Sequence, residues 1–132
     1  MPLFKLGGGN VVVRINNNLW RIVFTCTQNP NLRTSDGRQV LGLCDNNIKT
    51  IFIANNQSDY KTEHIVCHEI THAICFEYDI HLDYEMEEWL CNFMADHIRE
   101  TVEILDTILS ETLKKANISQ AIGKQFSYPP YL

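Results

Sequence analysis

The sequence predicts an α+β domain in which a small antiparallel sheet of about three or four strands precedes two helices. The first half of the chain carries short β-branched runs separated by turn residues. The second half carries two long stretches whose apolar residues recur at helical spacing. Since 132 residues suit one domain and no internal repeat is visible, we expect a single domain over residues 1–132.

The predicted strands are four short runs rich in apolar residues. The turn Asn16–Asn18 joins the first two into a hairpin, because Asn tolerates left-handed backbone. The polar stretch Gln28–Gly37 holds Asn29-Pro30 and Asp36-Gly37, which indicates a loop. The four runs are Val11–Ile15, Leu19–Thr25, Val40–Cys44 and Lys49–Ala54.

The predicted helices cover most of the second half of the chain. The first runs from about residue 60 to 78, and either Ser58 or Asp59 can cap it by accepting a backbone N–H. The second runs from about residue 84 to 115, antiparallel to the first, and residues from about 117 to 132 form an extended tail. An apolar stripe predicts that the second helix faces the core. The stripe consists of Met86, Trp89, Leu90, Phe93, Met94, Ile98, Val102, Leu105, Ile108 and Leu109.

Composition restricts the classes of function. A net charge of −5 argues against a broad nucleic-acid footprint or an anionic membrane surface as partner. No signal peptide is visible, and no apolar run approaches the roughly 20 residues that span a bilayer. The five cysteines form neither a C-x-x-C pair nor a disulfide ladder. We therefore expect reduced, mostly buried thiols in a cytoplasmic protein.

The most informative stretch is His68-Glu69-Ile70-Thr71-His72, an H-E-x-x-H pattern inside the first predicted helix. Residues four apart lie on the same face of a helix, so two imidazoles at this spacing can bind one metal ion. The Glu between them lies slightly aside, where it can hold a water molecule beside the metal. The pattern therefore predicts a metal site with His68 and His72 as two of its ligands.

A third ligand must come from elsewhere, because catalytic zinc normally takes three protein ligands and leaves one position for water. One zincin class has a third His six residues after the second, but that position here is Tyr78. The next candidates are acidic residues early in the second helix, namely Glu85, Glu87 and Glu88. If the chain turns back through residues 79–83, a residue four or five positions into that helix returns to the level of His72.

Glu87 and Glu88 both satisfy this condition, and Glu88 is preferred. The apolar stripe lies closer to Glu87, which favours Glu87 as the inward carboxylate. Glu88 is followed one turn later by Cys91 and Asn92, which are small or polar and leave room beside a metal. Asn92 could also orient His72 or Glu88.

The H-E-x-x-H stretch, followed by Glu87-Glu88-Trp89-Leu90-Cys91-Asn92-Phe93-Met94-Ala95, resembles the small zincin metallopeptidases of the ImmA/IrrE type and related phage-encoded metallopeptidases. The resemblance covers roughly residues 42–99 and implies a minimal zincin-like fold, with a Glu on the second helix as third ligand. The chain departs from the family's E-A-N-x-F-A form after this Glu. Glu88-Trp89-Leu90-Cys91-Asn92 also resembles the Glu-x-x-Ser-Asp pattern of thermolysin-like enzymes, which favours Glu88.

This resemblance implies a zinc-dependent peptidase that acts on a protein or peptide substrate, such as a regulator. Zn²⁺ would lower the pKa of its water from 15.7 toward about 7 and polarise the scissile carbonyl. Glu69, as general base, would take the proton of that water and pass it to the leaving amine. The strand of residues 50–54 could pair with an extended substrate if it lies at the sheet edge. Candidates for steadying the oxyanion are Tyr78, Tyr84, His64 and His81.

A second hypothesis is a zinc-stabilised binding module without catalysis, such as a phage-type regulatory effector. The small size of the chain and the absence of an obvious specificity subdomain favour it. Both hypotheses place Zn²⁺ on His68, His72 and Glu88, and they differ in whether a peptide bond is hydrolysed.

Overall fold

The computed structural model describes residues 9–119, with side chains described as far as residue 115. Four strands precede two helices, so the α+β prediction is confirmed. The elements are β1 (Asn10–Ile15), β2 (Asn18–Thr25), β3 (Gly42–Asp45), β4 (Thr50–Ala54), α1 (Asp59–Glu77) and α2 (Tyr84–Ser119). Residues 120–132, most of the predicted tail, lie outside the described residues. By its internal contacts the chain separates into two units, residues 1–96 and 97–132.

The sheet is mixed, so the prediction of an antiparallel sheet is wrong in this respect. Its order is β1-β2-β4-β3, with antiparallel pairs at both sides and a parallel pair, β2 with β4, in the middle. All five residues of β4 are buried, which is typical of a strand covered on both faces. The connection from β2 therefore passes over the sheet, and β4 rather than β3 takes the place beside β2.

Each face of the sheet carries its own apolar layer. On one face, α1 packs against a buried cluster that includes Trp20, Ile22, Ile51 and Ile53. The opposite face is covered by Leu32, which comes from the stretch predicted as a polar loop and is completely buried against Phe52 and Ala54. A short 3-10 turn, Pro30–Leu32, turns this side chain inward.

Glu77, the last residue of α1, ties the helix to the first hairpin. Its carboxylate accepts hydrogen bonds from Asn18 Nδ2 at 2.6 Å, Trp20 Nε1 at 2.7 Å and Lys49 Nζ at 2.9 Å. These bonds, with that from Asn18 contributing most, hold the pKa of Glu77 below its ordinary value. The backbone oxygen of Glu77 also accepts from Asn16 Nδ2 at 3.0 Å. The end of α1 is therefore fixed over the sheet.

We expect Glu77→Gln to lower the melting temperature by roughly 5 °C, because charge-assisted hydrogen bonds are stronger than neutral ones. Since the folded-state pKa is lowered, this stabilisation is present above the ordinary pKa and is lost as pH falls through the folded value. The difference from wild type should be constant at pH values well above the ordinary pKa of 4.5 and should shrink as the pH falls below it. Circular-dichroism melts across this range measure it, with the exposed Glu103→Gln as control. Equal losses in the two variants would contradict the prediction.

The apolar stripe of α2 is largely exposed, so the prediction that it faces the core is wrong. In the first unit, Trp89 is 57% and Phe93 44% exposed, and their rings stack on each other at 5.1 Å. In the second unit, the stripe residues Val102, Leu105 and Ile108 are exposed as well. Within the first unit α2 turns its polar side, not this stripe, toward α1.

The structure also describes the two features on which the expected environment of the chain depends, namely the hydropathy of its helices and the state of its cysteines. None of the helices within residues 9–119 combines the length and hydropathy that a membrane span requires. None of the five cysteines, all of which lie among the described residues, forms a disulfide: Cys75 and Cys91 are buried, Cys44 and Cys67 are half-buried, and Cys26 is exposed.

Candidate metal centre

The start of α2 runs antiparallel to α1, and polar contacts repeat every four residues along the two helices. Because four residues make about one helical turn, each contact lies one turn from the next. The contacts join His64 Nε2 to Asp96 Oδ1 at 2.8 Å, His68 Nδ1 to Asn92 Oδ1 at 2.9 Å, and His72 Nε2 to Glu88 Oε2 at 2.8 Å. The H-E-x-x-H pattern lies on a helix, as the spacing argument requires.

Donor atoms of three predicted ligands converge at the His72 end of this row. Oε2 of Glu88 lies 2.8 Å from Nε2 of His72 and 3.5 Å from Nε2 of His68. Ligand atoms of these three residues and of Cys91, one from each, all lie within 4.8 Å of one another. Tetrahedral zinc with bonds of about 2.0 Å keeps its ligand atoms about 3.3 Å apart, so the cluster is of a size that could hold a metal ion.

The second ring nitrogen of each histidine is held by an acceptor. Oε2 of Glu87 lies 2.5 Å from Nδ1 of His72, and Oδ1 of Asn92 lies 2.9 Å from Nδ1 of His68. Because a carboxylate and an amide oxygen only accept, each Nδ1 donates its proton and each Nε2 is left for a cation. Such partners orient metal-ligating histidines. Asn92 thus contacts His68, rather than His72 or Glu88 as expected from the sequence.

The charges around the two imidazoles favour a bound cation. Two Nε2 lone pairs facing the carboxylate of Glu88 repel it, unless a proton or a metal ion lies between them. The carboxylates of Glu69 and Glu87 add to the negative charge. Two imidazole nitrogens and a carboxylate oxygen are donors that zinc accepts readily, so the residues present fit this ion.

Glu69 lies beside this cluster and is almost fully covered, with 8% of its surface exposed. Burial raises the pKa of Glu69 to about 7, opposed by the nearby His72 and assisted by Glu88. A carboxylate whose pKa lies near the working pH suits a general base. Glu69 is buried because β3 lies close to α1 and the backbone of Gly42 covers the Glu69 side chain.

Gly42 leaves no room for a side chain. A Cβ atom at this position would lie 2.6 Å from Cγ2 of Ile65 and 2.9 Å from Cγ of Glu69. We expect Gly42→Ala to lower the free energy of unfolding by about 1–3 kcal/mol, because an inserted methyl group must displace a packed neighbour. Urea denaturation measures this, with Gly9→Ala as control, since a Cβ at Gly9 has nothing within 4 Å. A Gly42→Ala variant as stable as wild type would contradict this account of the packing.

An open cleft of about 590 Å³ leads to the candidate metal centre, between β3 and the facing sides of α1 and α2. β4 pairs on both of its sides, so the strand expected to meet a substrate lies inside the sheet. The strand at the cleft is β3. In the pair of β3 with β4, Ala54 N donates to Leu41 O at 2.9 Å. Because hydrogen-bonded and non-hydrogen-bonded residue pairs alternate along antiparallel strands, Gly42 and Cys44 direct their N–H and C=O groups away from β4.

The structure divides the four candidates for oxyanion stabilisation into two groups. His64 and Tyr84 line the cleft. Tyr78 instead follows the end of α1, and the side chain of His81 is 83% exposed beside Asp79. Neither of these two is among the described cleft-lining residues.

Sequence reasoning missed two loop residues that line the cleft, Thr34 and Arg38. They belong to the polar stretch before β3, where no local pattern marks a contact with α1. Only the pairing of β3 with β4 brings this stretch to the cleft.

Comparison of the chain with family models, curated proteins and solved structures returned no match.

Proposed function

We propose that the protein is a zinc-dependent metallopeptidase that hydrolyses peptide bonds, like the ImmA/IrrE-type zincins that its motif resembles. The observation that carries the proposal is the convergence of Nε2 of His68, Nε2 of His72 and Oε2 of Glu88 beside a buried Glu69. The open cleft and the free edge of β3 support it, because a peptidase must admit an extended chain.

The residues have separate roles in this proposal. His68, His72 and Glu88 hold Zn²⁺, while Glu87 and Asn92 fix the two imidazoles through Nδ1. When bound, the ion polarises the scissile carbonyl and acidifies water. Glu69 accepts the proton of the attacking water and delivers it to the leaving amine nitrogen.

The free edge of β3 supplies the means of positioning a substrate. The outward N–H and C=O groups of Gly42 and Cys44 can pair with the backbone of an extended peptide. This pairing would hold the scissile bond over Glu69, since Gly42 packs directly on that side chain. A protein substrate would therefore present an unfolded or loop segment to the cleft.

A second candidate, a zinc-stabilised module without catalysis, is favoured by Cys91. Its Sγ lies within the same cluster, and a thiolate there would fill the fourth position and close the site. Without a metal ion, burial raises the pKa of the Cys91 thiol to about 12, with Glu88 and Glu87 adding to the rise. A bound ion would lower this pKa, so the ligand set decides: two histidines and a glutamate are a set that catalytic zinc uses, whereas closed structural sites are built mainly from cysteines. We therefore prefer the open, catalytic site.

Zinc content and peptide cleavage, measured on one preparation, test the proposal. We expect one zinc ion per chain and cleavage of a mixed peptide library, detected by mass spectrometry. Chelation should abolish cleavage, and added Zn²⁺ should restore it. Zinc binding without any cleavage would favour the second candidate, and a protein that binds no zinc would refute both.

A further inference from the structure

Arg38 gives the cleft a positive charge away from the metal centre. Among the described residues that line the cleft, it is the only arginine or lysine. The other charged side chains are Glu69, Glu87 and Glu88, which cluster around the two histidines. A ligand that spans the cleft therefore meets Arg38 at one place and the proposed metal centre at another.

The backbone of Arg38 is held by a tight turn. Arg38 N donates to Oγ1 of Thr34 at 3.1 Å, and Thr34 N donates to the oxygen of Arg38 at 2.8 Å. Gly37 N donates to the oxygen of Thr34 at 2.9 Å, and Gly37 has φ +85°, a conformation that favours glycine. Arg33 and Gln39 form a bridge across the base of this turn. The turn thus fixes the backbone position from which the Arg38 side chain extends at the cleft.

The guanidinium of Arg38 is available to a ligand. Within residues 9–115, no hydrogen bond or direct ion pair engages its side chain. Asp36, two residues away, is engaged by the hydroxyl of Thr34. That hydrogen bond is the largest cause of the lowered pKa of Asp36, and the charge of Arg38 contributes less.

Chain geometry limits how far Arg38 lies from the proposed centre of reaction. Gly42 packs on Glu69, and Arg38 is four residues before Gly42. An extended chain advances about 3.3 Å per residue, and a peptide paired with it advances at the same rate. A substrate group that reaches Arg38 therefore lies within about four residues of the cleaved bond.

We infer that Arg38 selects substrates that carry a carboxylate within about four residues of the cleaved bond. A guanidinium binds a carboxylate through two parallel N–H···O bonds. The carboxylate can belong to an Asp or Glu side chain or to the C-terminus of the peptide. This inference rests on the proposed peptidase function and adds a substrate class to it.

A charge-reversal experiment on peptide cleavage tests the inference. Peptides that differ only in Glu or Lys, placed in turn at each position up to four residues on either side of the cleaved bond, are compared by kcat/KM. At one or more positions, wild type should prefer Glu over Lys by about fivefold, the effect of one partly exposed charge pair. Arg38→Glu should reverse this preference. Arg21→Glu, the same change on β2 outside the cleft lining, should leave it unchanged.

Peptides with a free or an amidated C-terminus identify the source of the carboxylate. Faster cleavage of the free than of the amidated peptide, lost in Arg38→Glu, assigns the bound group to the C-terminus, and a preference for Glu over Lys that survives amidation assigns it to a side chain. Either result supports a carboxylate at Arg38. Equal cleavage of all peptides by wild type and Arg38→Glu would overturn the inference while leaving the peptidase proposal standing.

A binding measurement separates failure of the inference from failure of the proposed function. Zinc-loaded Glu69→Gln protein is titrated with the same fluorescent peptides, and affinity is read by anisotropy. If wild type cleaves nothing, yet the Glu peptides bind better and Arg38→Glu in this background reverses the order, the charge selection stands and the peptidase proposal fails. Binding that is absent or indifferent to charge would refute the selection.

Discussion

Glu69→Gln is expected to reduce kcat/KM for peptide hydrolysis by about 10³-fold, the scale of a lost general base. The amide has nearly the same shape but cannot accept the proton of the attacking water. Because Glu69 is buried and packs against Gly42, a neutral side chain of equal size should keep both the fold and the bound zinc. Peptide kinetics, zinc content and a thermal melt on the same sample measure the three quantities.

Two further variants make this result specific. Glu103→Gln, the same chemical change at an exposed position on α2, should keep wild-type activity. Glu69→Asp retains a carboxylate on a shorter side chain, so its activity should lie between those of wild type and Glu69→Gln. Zinc-loaded Glu69→Gln with activity close to wild type would refute the role of Glu69 as general base.

Glu88→Gln is expected to weaken zinc binding by more than the factor of about 10–100 that follows loss of an orienting partner. The reason is geometric, since Oε2 of Glu88 lies beside the Nε2 atoms of both histidines. The loss of zinc affinity in Glu87→Gln should stay within this factor of about 10–100, because Glu87 contacts Nδ1 of His72 and not the nitrogen that faces the metal. Competition with a chromophoric chelator near neutral pH measures the three affinities, including that of wild type.

Cys91→Ala completes this series and separates the two candidate functions. For an open, catalytic site we expect an affinity close to that of wild type. A loss as large as that of Glu88→Gln would make Cys91 a ligand and favour the non-catalytic module. A larger loss in Glu87→Gln than in Glu88→Gln would exchange the roles proposed for the two carboxylates.

Local sequence determined the elements and half of the candidate site. The α+β class followed from short-range patterns, and the spacing of His68 and His72 placed both imidazoles on one face of α1. The helix rise and the short connection after α1 predicted that Glu87 and Glu88 lie at the level of His72, because both depend only on neighbouring residues. These features depend on residues close in sequence, whose geometry the backbone restricts to a few forms.

The tertiary structure decided which groups meet and which stay exposed. The place of β4 beside β2, the free edge of β3 and the position of Arg38 in the cleft all depend on pairing between distant segments. The stripe of Trp89 and Phe93 was misassigned because an apolar pattern shows that a face can be buried, not that a partner covers it. The H-E-x-x-H helix alone predicted a metal site. The partners of its histidines and the open cleft beside it arise only when α2 and β3 pack against it, because side chains far apart in sequence are brought together by the whole fold.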